Sequence, residues 1–164
     1  MILLTVGTQK FQFNRLLEAV DLLVEQQFLR EPVIAQTGCS TYTPRHYRAV
    51  DFMKKEEMDA AIRDCSLLIT HSGVGTILSG LKAGKKIIVV PRQKVFGEHV
   101  DDHQEQIARK FEEMGYVRVC RNMEDLPDCC RSMDAFPCRS LELDFSKTVQ
   151  FIDAYLDTIP REEK

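Results

Sequence analysis

Residues Leu67–Arg92 read LLITHSGVGTILSGLKAGKKIIVVPR and predict a complete strand–turn–helix–strand unit. Leu67–Thr70 is a short apolar run, typical of a strand buried on both faces. The turn His71–Thr76 holds two glycines, and the helical apolar stripe after it runs to Gly84, a residue type that commonly ends helices. Ile87–Val90 predicts a second buried strand. Ligands bind at the carboxyl ends of parallel strands, so we expect a ligand-sized gap at the turn.

The same alternation of strand and helix continues on both sides of this unit. Further strands are predicted at Ile2–Val6, Val33–Ala35, Ala49–Met53 and Tyr116–Cys120. Further helices are predicted at Phe11–Gln27, Glu56–Cys65, Asp101–Met114, Met123–Met133 and Phe145–Leu156. The sequence therefore predicts the α/β class: a doubly wound parallel sheet in one domain, 1–164, with 145–164 as a C-terminal helix and tail.

Composition excludes several classes of function. The 164 residues are 44% hydrophobic and 29% charged, as is usual for a globular domain, and the net charge of -3 offers no basic surface for nucleic acid. No apolar run approaches the roughly 20 residues that a membrane helix needs. The start, MILLTVGTQ, lacks a basic segment and reads as a first strand, not a signal peptide. We therefore expect a cytoplasmic protein, with a membrane-bound partner left open.

The six cysteines predict free thiols. They form no C-x-x-C pair, and Cys129 and Cys130 are adjacent, a poor arrangement for zinc. Without a secretion signal, reduced cysteines are expected.

Three polar turns that contain glycine follow three of the predicted strands. They are Gly7-Thr8-Gln9, Gln36-Thr37-Gly38 and His71–Thr76, and parallel strands would bring all three to one edge of the sheet. Backbone N–H groups at such turns, with a helix N-terminus behind them, bind phosphate. Neither G-K-[ST] nor G-x-G-x-x-G is present, so this is not a P-loop or a dinucleotide fingerprint. Each turn alone also fits a plain strand–helix connection.

Four motifs together resemble one family of sugar-transferring enzymes. They are TVGTQKF (Thr5–Phe11), THSGVGT (Thr70–Thr76), KKIIVVPR (Lys85–Arg92) and GEHVDDHQ (Gly97–Gln104). In order and spacing they resemble the C-terminal, donor-binding half of family 28 glycosyltransferases. The chain is similar above all to the small subunits of two-part enzymes, the PssE/EpsF type of bacterial polysaccharide synthesis and the dolichol-pathway UDP-GlcNAc transferase.

The resemblance implies a donor-binding domain, one Rossmann-like half of a GT-B fold, that binds a UDP-sugar. It would transfer the sugar with inversion and without an essential metal or cofactor. The implied acceptor is a lipid-linked (polyprenyl diphosphate) molecule of capsular or exopolysaccharide assembly. A PssD/EpsE-like membrane-associated partner would supply the other half and hold the chain at the inner face of the plasma membrane.

The resemblance also implies where the donor binds. Gly7, Thr8 and Gln9 would contact the diphosphate, and Ser72, Gly73, Gly75 and Thr76 the phosphates and ribose, while His103 and Gln104 would contact the sugar hydroxyls. Gln36 and Gly38 join the site through the turn after the second strand. Many relatives carry an acidic residue for the ribose where this chain has Ser79, so a charged contact is replaced by a hydroxyl.

Two histidines are candidates for catalysis. His71 opens the glycine turn and could orient phosphate or sugar, act as a base, or bond a backbone carbonyl as a structural residue. His99 has Glu98 and Asp101 nearby and could be a general base oriented by a carboxylate, or an exposed loop histidine.

Two other features have alternative interpretations. Asp101 and Asp102, followed by His103, could bind a metal, although aspartates at a helix start are ordinary capping residues. Arg92 could meet phosphate or a partner, or be a solvated arginine.

Two other functions remain open at this stage. The chain could be a non-catalytic nucleotide-sugar-binding accessory subunit, or another Rossmann protein such as an epimerase-type or NAD-binding protein. The missing G-x-G-x-x-G disfavours the second of these.

Overall fold

The computed structural model describes residues 1–137, which form a six-stranded sheet with every neighbouring pair parallel. The strands are β1 (Ile2–Thr5), β2 (Val33–Gln36), β3 (Arg48–Val50), β4 (Leu67–Thr70), β5 (Lys86–Val89) and β6 (Arg118–Val119). Their spatial order is β3-β2-β1-β4-β5-β6. The predicted Rossmann-like, doubly wound sheet is confirmed, whereas the predicted helix at 145–156 lies outside the described residues.

Helices cover both faces of this sheet. They are α1 (Asn14–Glu25), α2 (Lys55–Asp64), α3 (Val74–Lys82), α4 (His103–Glu113) and α5 (Leu126–Ser132). Successive residues of β1 separate the two core clusters: Leu4 packs with the face covered by α1 and α5, and Leu3 with the face covered by α2, α3 and α4. Because the central strands are buried on both faces, they read as continuous apolar runs. Among the described helices, none is long and apolar enough to span a bilayer.

The order of the strands reverses direction between β1 and β4. The chain first winds outward from β1 through β2 to β3, then returns to β4 on the other side of β1. Thr5, the last residue of β1, is in register with Gln36 of β2 and Thr70 of β4. The three strands therefore end in step, and the three polar turns leave the sheet at one edge, as predicted. Such a switch point is the usual ligand site of an open α/β sheet.

Several element boundaries differ from the sequence prediction. β3 and β6 are shorter than predicted, and the segment predicted as a helix from Met123 begins with a 3₁₀ turn, Met123–Asp125, before α5. α4 begins at His103, because the Asp101 carboxylate accepts the His103 amide (3.1 Å) and stops the helix there. Asp102 occupies the N-cap position but makes no side-chain capping bond.

Gly84 ends α3 as predicted. Its φ is +65°, its N–H donates to Leu81 O (3.0 Å), and the Lys85 N–H donates to Gly80 O (2.9 Å). This is the Schellman arrangement, which satisfies the last carbonyls of a helix.

The five described cysteines are free thiols, in agreement with the prediction. They are Cys39, Cys65, Cys120, Cys129 and Cys130.

Candidate functional site

A cleft of about 880 Å³ opens at the switch point, above the carboxyl ends of β1 and β4. Most of the predicted site residues line it, and they come from all three turns and from the start of α4. These residues are Gly7, Thr8, Gln9, Gln36, His71, Gly73, Gly75, Thr76, His99, His103 and Gln104. Residues far apart in the sequence therefore meet in one site.

His71 forms the floor of this cleft between two glycines. A Cβ on Gly7 would lie 2.5 Å from Cε1 of His71, and a Cβ on Gly73 would also overlap the ring. Gly7 in addition has a φ of +81°, which side chains rarely adopt. Both glycines are thus required for the imidazole to fit, which the sequence pattern did not reveal.

The His71 imidazole is neutral at physiological pH. Burial lowers its pKa to about 4, the nearby Arg92 charge acts in the same direction, and a backbone hydrogen bond at Thr5 opposes them. Nδ1 lies 3.3 Å from the Thr70 hydroxyl. The ring can therefore exchange hydrogen bonds with a ligand but rarely carries a proton that could neutralise a phosphate.

Helix α3 directs its N-terminus into the same cleft. Gly73 occupies the N-cap position, no side chain caps the helix, and its first turn contains no acidic residue. A Cβ on Gly75 would meet nothing within 4 Å, so the space in front of the helix is open. Free N–H groups and the positive end of a helix dipole attract phosphate.

Gln36 and Gln104 hold the turns around this helix end. Gln36 Oε1 accepts the Met53 N–H (2.9 Å), and its Nε2 donates to Thr5 Oγ1 (3.3 Å). Gln104 Oε1 accepts two amides, those of Ser72 (3.3 Å) and Arg92 (3.1 Å). With Oε1 occupied, the Gln104 Nε2 is the group that remains for a ligand in the cleft.

Comparison with known proteins assigns the chain to a family. The model of the glycosyltransferase family 28 C-terminal domain matches residues 1–154. The chain belongs to this family. The predicted resemblance is therefore confirmed over nearly the whole sequence.

Two curated relatives carry names that describe sugar transfer. The family 28 chain is 38% identical over 99 residues to the UDP-N-acetylglucosamine transferase subunit ALG13 of Saccharomyces cerevisiae, covering 56% of this chain and 46% of the relative. It is 31% identical over 104 residues to the UDP-N-acetylglucosamine--N-acetylmuramyl-(pentapeptide) pyrophosphoryl-undecaprenol N-acetylglucosamine transferase of Prochlorococcus marinus, covering 61% and 27%. The chain thus spans less than half the length of either relative.

A solved glycosyltransferase shows the same fold. The crystal structure of Acinetobacter baumannii MurG matches with a TM-score of 0.57 at 21% identity, over 80% of this chain and 40% of MurG. The family 28 chain therefore has the fold of one Rossmann-like half of a GT-B enzyme.

Arg92 corrects one expectation for this family 28 domain. It is neither a solvated arginine nor part of the cleft lining, since it is only 1% exposed and its guanidinium turns inward. Nη1 donates to the carbonyls of Phe11 (2.9 Å) and Glu98 (3.1 Å), and Nη2 donates to the carbonyl of Val6. The guanidinium stacks on the ring of Phe13 at 5.1 Å. Arg92 thereby anchors the loop that carries Thr8 and Gln9.

The carboxylate beside His99 comes from Asp101, not from Glu98. His99 Nδ1 lies 3.0 Å from Asp101 Oδ1, whereas the buried Glu98 carboxylate pairs with Arg15 Nε at 2.7 Å. His99 is half-buried and packs against the ring of Phe11 at 5.5 Å. The backbone N–H of Asp101 also donates to Nδ1 (3.3 Å), so both contacts of Asp101 are made at this nitrogen and Nε2 is the one that remains for a ligand.

Three further predicted residues lie outside the cleft lining. Ser79 stands more than a turn into α3 and is not among the residues that line the cleft. Ser72 is 1% exposed, and its Oγ has no partner among the described residues. Gly38 packs against the Gly7 carbonyl, where a Cβ would approach to 2.6 Å. Gly38 and Ser72 therefore support the turns.

The sequence reasoning missed the side of the cleft formed by the start of α2. Met53, Lys55, Met58 and Asp59 line it there. No local sequence pattern shows that the segment between β3 and α2 passes beside the cleft.

Proposed function

We propose that this chain is the donor-binding, catalytic subunit of an inverting family 28 glycosyltransferase that uses a UDP-sugar. The observation that carries the proposal is the open N-terminus of α3, which faces a cleft floored by Gly7 and Gly73 at the switch point. The names of the two curated relatives, both UDP-N-acetylglucosamine transferases, support a uridine diphosphate donor.

The diphosphate lies across the N-terminus of α3. Glycines at positions 73 and 75 let the backbone approach the phosphates closely. When the bond between the sugar C1 and the phosphate oxygen breaks, negative charge develops on the β-phosphate. N–H groups already directed at that position stabilise the charge without reorganising. This arrangement supplies leaving-group stabilisation from the chain itself, and we propose no metal ion for the step.

The acceptor hydroxyl attacks C1 from the opposite side and gives its proton to a base. His99 fits this role better than His71. The Asp101 carboxylate lies closer to His99 Nδ1 (3.0 Å) than the Asp101 amide nitrogen does (3.3 Å), so we propose that Nδ1 carries the proton and that Nε2 accepts. A base works best with a pKa near the operating pH, and the His71 pKa of about 4 makes its ring a weak base at neutral pH.

A second subunit completes the enzyme. The MurG chain contains this fold in 40% of its length, and the yeast relative is named as a subunit. In this chain, the loop beside the cleft exposes Val95 (79%), Phe96 (52%) and Val100 (62%). We propose that this apolar surface meets a PssD/EpsE-like membrane-associated partner.

We place the assembled enzyme at the inner face of the plasma membrane. The Prochlorococcus relative is named for transfer to a pyrophosphoryl-undecaprenol substrate, which supports a polyprenyl diphosphate acceptor. Capsular or exopolysaccharide assembly is the proposed pathway.

Two measurements test the proposal. UDP should raise the melting temperature of the purified chain and NAD should not, because a ligand that binds only the native state stabilises it. The chain co-expressed with its partner should transfer sugar to a lipid-linked acceptor, with the donor found by a screen of UDP-sugars, and EDTA should leave the rate unchanged. A chain stabilised by NAD and indifferent to UDP would overturn the proposal. Transfer that survives His99→Ala and Thr76→Ala in the pair would instead indicate a non-catalytic accessory subunit.

A further inference from the structure

The loop 93–99, which carries the proposed base, depends on a buried carboxylate. This loop follows β5 and contains a 3₁₀ turn, Lys94–Phe96, and then Gly97 with a φ of +67°. Glu98, the residue directly before His99, is only 1% exposed. A carboxylate buried this deeply needs a charged partner, because burial removes the water that would otherwise stabilise its charge.

Arg15, near the start of α1, is that partner. Its Nε lies 2.7 Å from Glu98 Oε1 and its Nη2 lies 3.1 Å from Oε2, so the guanidinium binds both oxygens of the carboxylate. Nη2 also donates to the carbonyl of Pro91 (2.9 Å), just before the loop. The same guanidinium lies over the ring of Phe96, 4.9 Å from its centroid. One side chain of α1 therefore contacts the loop and its approach at three points.

Glu98 is also held through the loop itself and through its main chain. Its Oε2 accepts the Gln93 N–H (2.9 Å), which joins the two ends of the loop. Its carbonyl accepts Arg92 Nη1 (3.1 Å). Because both the side chain and the main chain of Glu98 are held, the backbone of the next residue, His99, has little freedom to move.

The contacts of the His99 ring do not replace this anchor. Asp101, at 3.0 Å from Nδ1, orients the ring but belongs to the same segment and moves with it. Phe11 packs against the ring at 5.5 Å and makes no hydrogen bond to it. Without Arg15, the Glu98 carboxylate would stay buried without its counter-ion, a costly arrangement that is relieved when the loop moves towards water.

We propose that Arg15 is a positioning residue for sugar transfer: by binding Glu98, it holds His99 Nε2 where the acceptor hydroxyl loses its proton. The inference rests on the proposed function, since it assumes that His99 is the base. Arg15 is not among the residues that line the cleft, so it acts only through the loop. Such placement matters because a shift of about 1 Å in a reacting group can lower a rate by roughly 100-fold.

The first test measures sugar transfer by the chain assembled with its partner, with rates expressed per assembled pair. Arg15→Met should lower kcat by about 10- to 100-fold and leave the KM for the donor unchanged, since the N-terminus of α3 is not touched. Arg15→Lys keeps the charge but cannot bind both oxygens, so it should recover part of the rate. In the His99→Ala background, Arg15→Met should cause no further loss, because both changes remove the same contribution. Arg109→Met removes a guanidinium that pairs with the exposed Glu113 and should keep the full rate.

The second test needs no partner and follows the histidines by NMR in the isolated chain. The sequence has four histidines, so their signals can be assigned by single substitutions. The His99 ring protons lie close to the Phe11 ring and are sensitive to their position relative to it. Arg15→Met should therefore shift the His99 signals and leave those of His71, on the floor of the cleft, in place. The affinity for UDP should be unchanged.

The outcomes separate this inference from the function beneath it. If the unaltered chain does not bind UDP and the pair transfers no sugar, the proposed function fails. If the pair is active and Arg15→Met keeps the full rate or leaves the His99 signals in place, Arg15 has no positioning role and the function stands. Movement of the His71 signals as well would indicate a general loss of structure and would also refute the inference. A pair that keeps its full rate after His99→Ala would overturn the choice of base and this inference with it.

Discussion

The imidazole of His71 occupies the space that a side chain on Gly7 would need, with Cε1 only 2.5 Å from the position of a Cβ there. His71 leaves the sheet after β4 and Gly7 after β1, so the ring joins the two central turns of the cleft. Its position makes the shape of the site depend on two glycines that lie 66 residues apart in the sequence.

Gly73→Ala should disturb the cleft through its contact with His71. The backbone φ at Gly73 is -72°, which alanine adopts easily, so the effect arises from the overlap with the ring. We expect a loss of about 1–3 kcal/mol in the free energy of unfolding, and weaker UDP binding. Gly75→Ala, where a Cβ meets open space, is the matched control for the loss of stability. Removing the ring with His71→Ala should make Gly73→Ala harmless, and equal damage in both backgrounds would refute the steric explanation.

The stability of the protein should fall in mildly acidic solution because of His71. The pKa of this group is about 4 in the folded chain and about 6.5 when unfolded, so the unfolded chain binds the extra proton between these values. The stabilising effect is complete above pH 6.5 and is lost as the pH falls towards 4. Between pH 7 and pH 5 the loss is about 2 kcal/mol. Urea unfolding of His71→Asn should lack this part of the pH dependence; an unchanged slope would argue against a buried, neutral ring.

Arg92→Met should be strongly destabilising. It leaves the buried carbonyls of Val6, Phe11 and Glu98 without their donor. The expected cost is about 3–5 kcal/mol, the usual result of removing one member of a buried charged network. Arg109→Met, on the exposed face of α4, should change the stability by less than about 0.5 kcal/mol. Urea denaturation measures both, and similar midpoints for the two variants would contradict the structural role of Arg92.

Gln27→Gly should stabilise the chain. Gln27 ends α1 with a φ of +56°, in the same Schellman arrangement that Gly84 forms after α3. A residue with a Cβ is strained in this conformation, and its relief should add about 0.5–1 kcal/mol to the free energy of unfolding. Gly84→Ala should lower the free energy of unfolding by a similar amount. A Cβ at Gly84 would meet nothing within 4 Å, so this loss would come from the backbone conformation alone. Thermal unfolding would show whether the two changes have opposite signs.

Val95→Asp should prevent assembly with the partner subunit while leaving UDP binding intact. Val95 is 79% exposed on the loop beside the cleft and contributes little to the core. A charge there prevents an apolar partner surface from packing against the loop. Leu22→Asp, at an exposed apolar residue of α1, is the control. Co-purification of the pair should fail for the first variant only, and recovery of both would show that the partner binds elsewhere.

The strand and helix pattern of the sheet was predictable from local sequence. The central strands β1, β2, β4 and β5 are short, mostly apolar runs, and three of them (β1, β2 and β4) are followed by turns that contain glycine, so a few consecutive residues are enough to predict each one. Predictions were least accurate at the edges, as at the three-residue strand Arg48–Val50, because an edge strand has few buried neighbours to impose an apolar pattern. Most of the cleft residues were also predictable, because they lie on the three glycine turns and parallel strands in register end at one edge of the sheet.

Arg92, Asp59 and Ser79 show where sequence reasoning stopped. A charged residue after a strand is expected to be solvent-exposed, yet Arg92 is buried because it donates to four backbone carbonyls, three of which lie 80 or more residues away in the sequence. Asp59 carries no motif and reaches the cleft only because α2 begins at the sheet edge. Ser79 matches a family position, but it lies more than a turn into α3 and does not line the cleft.

The sequence by itself determined the parallel α/β architecture, the family and the three turns of the site, because these depend on hydrophobic runs, glycines and short motifs. Only the tertiary structure decided that His71 is neutral between Gly7 and Gly73, that Asp101 rather than Glu98 pairs with His99, and that Asp59 faces the cleft. These features depend on burial and on contacts between residues far apart in the chain, and both arise only when the sheet brings the turns together.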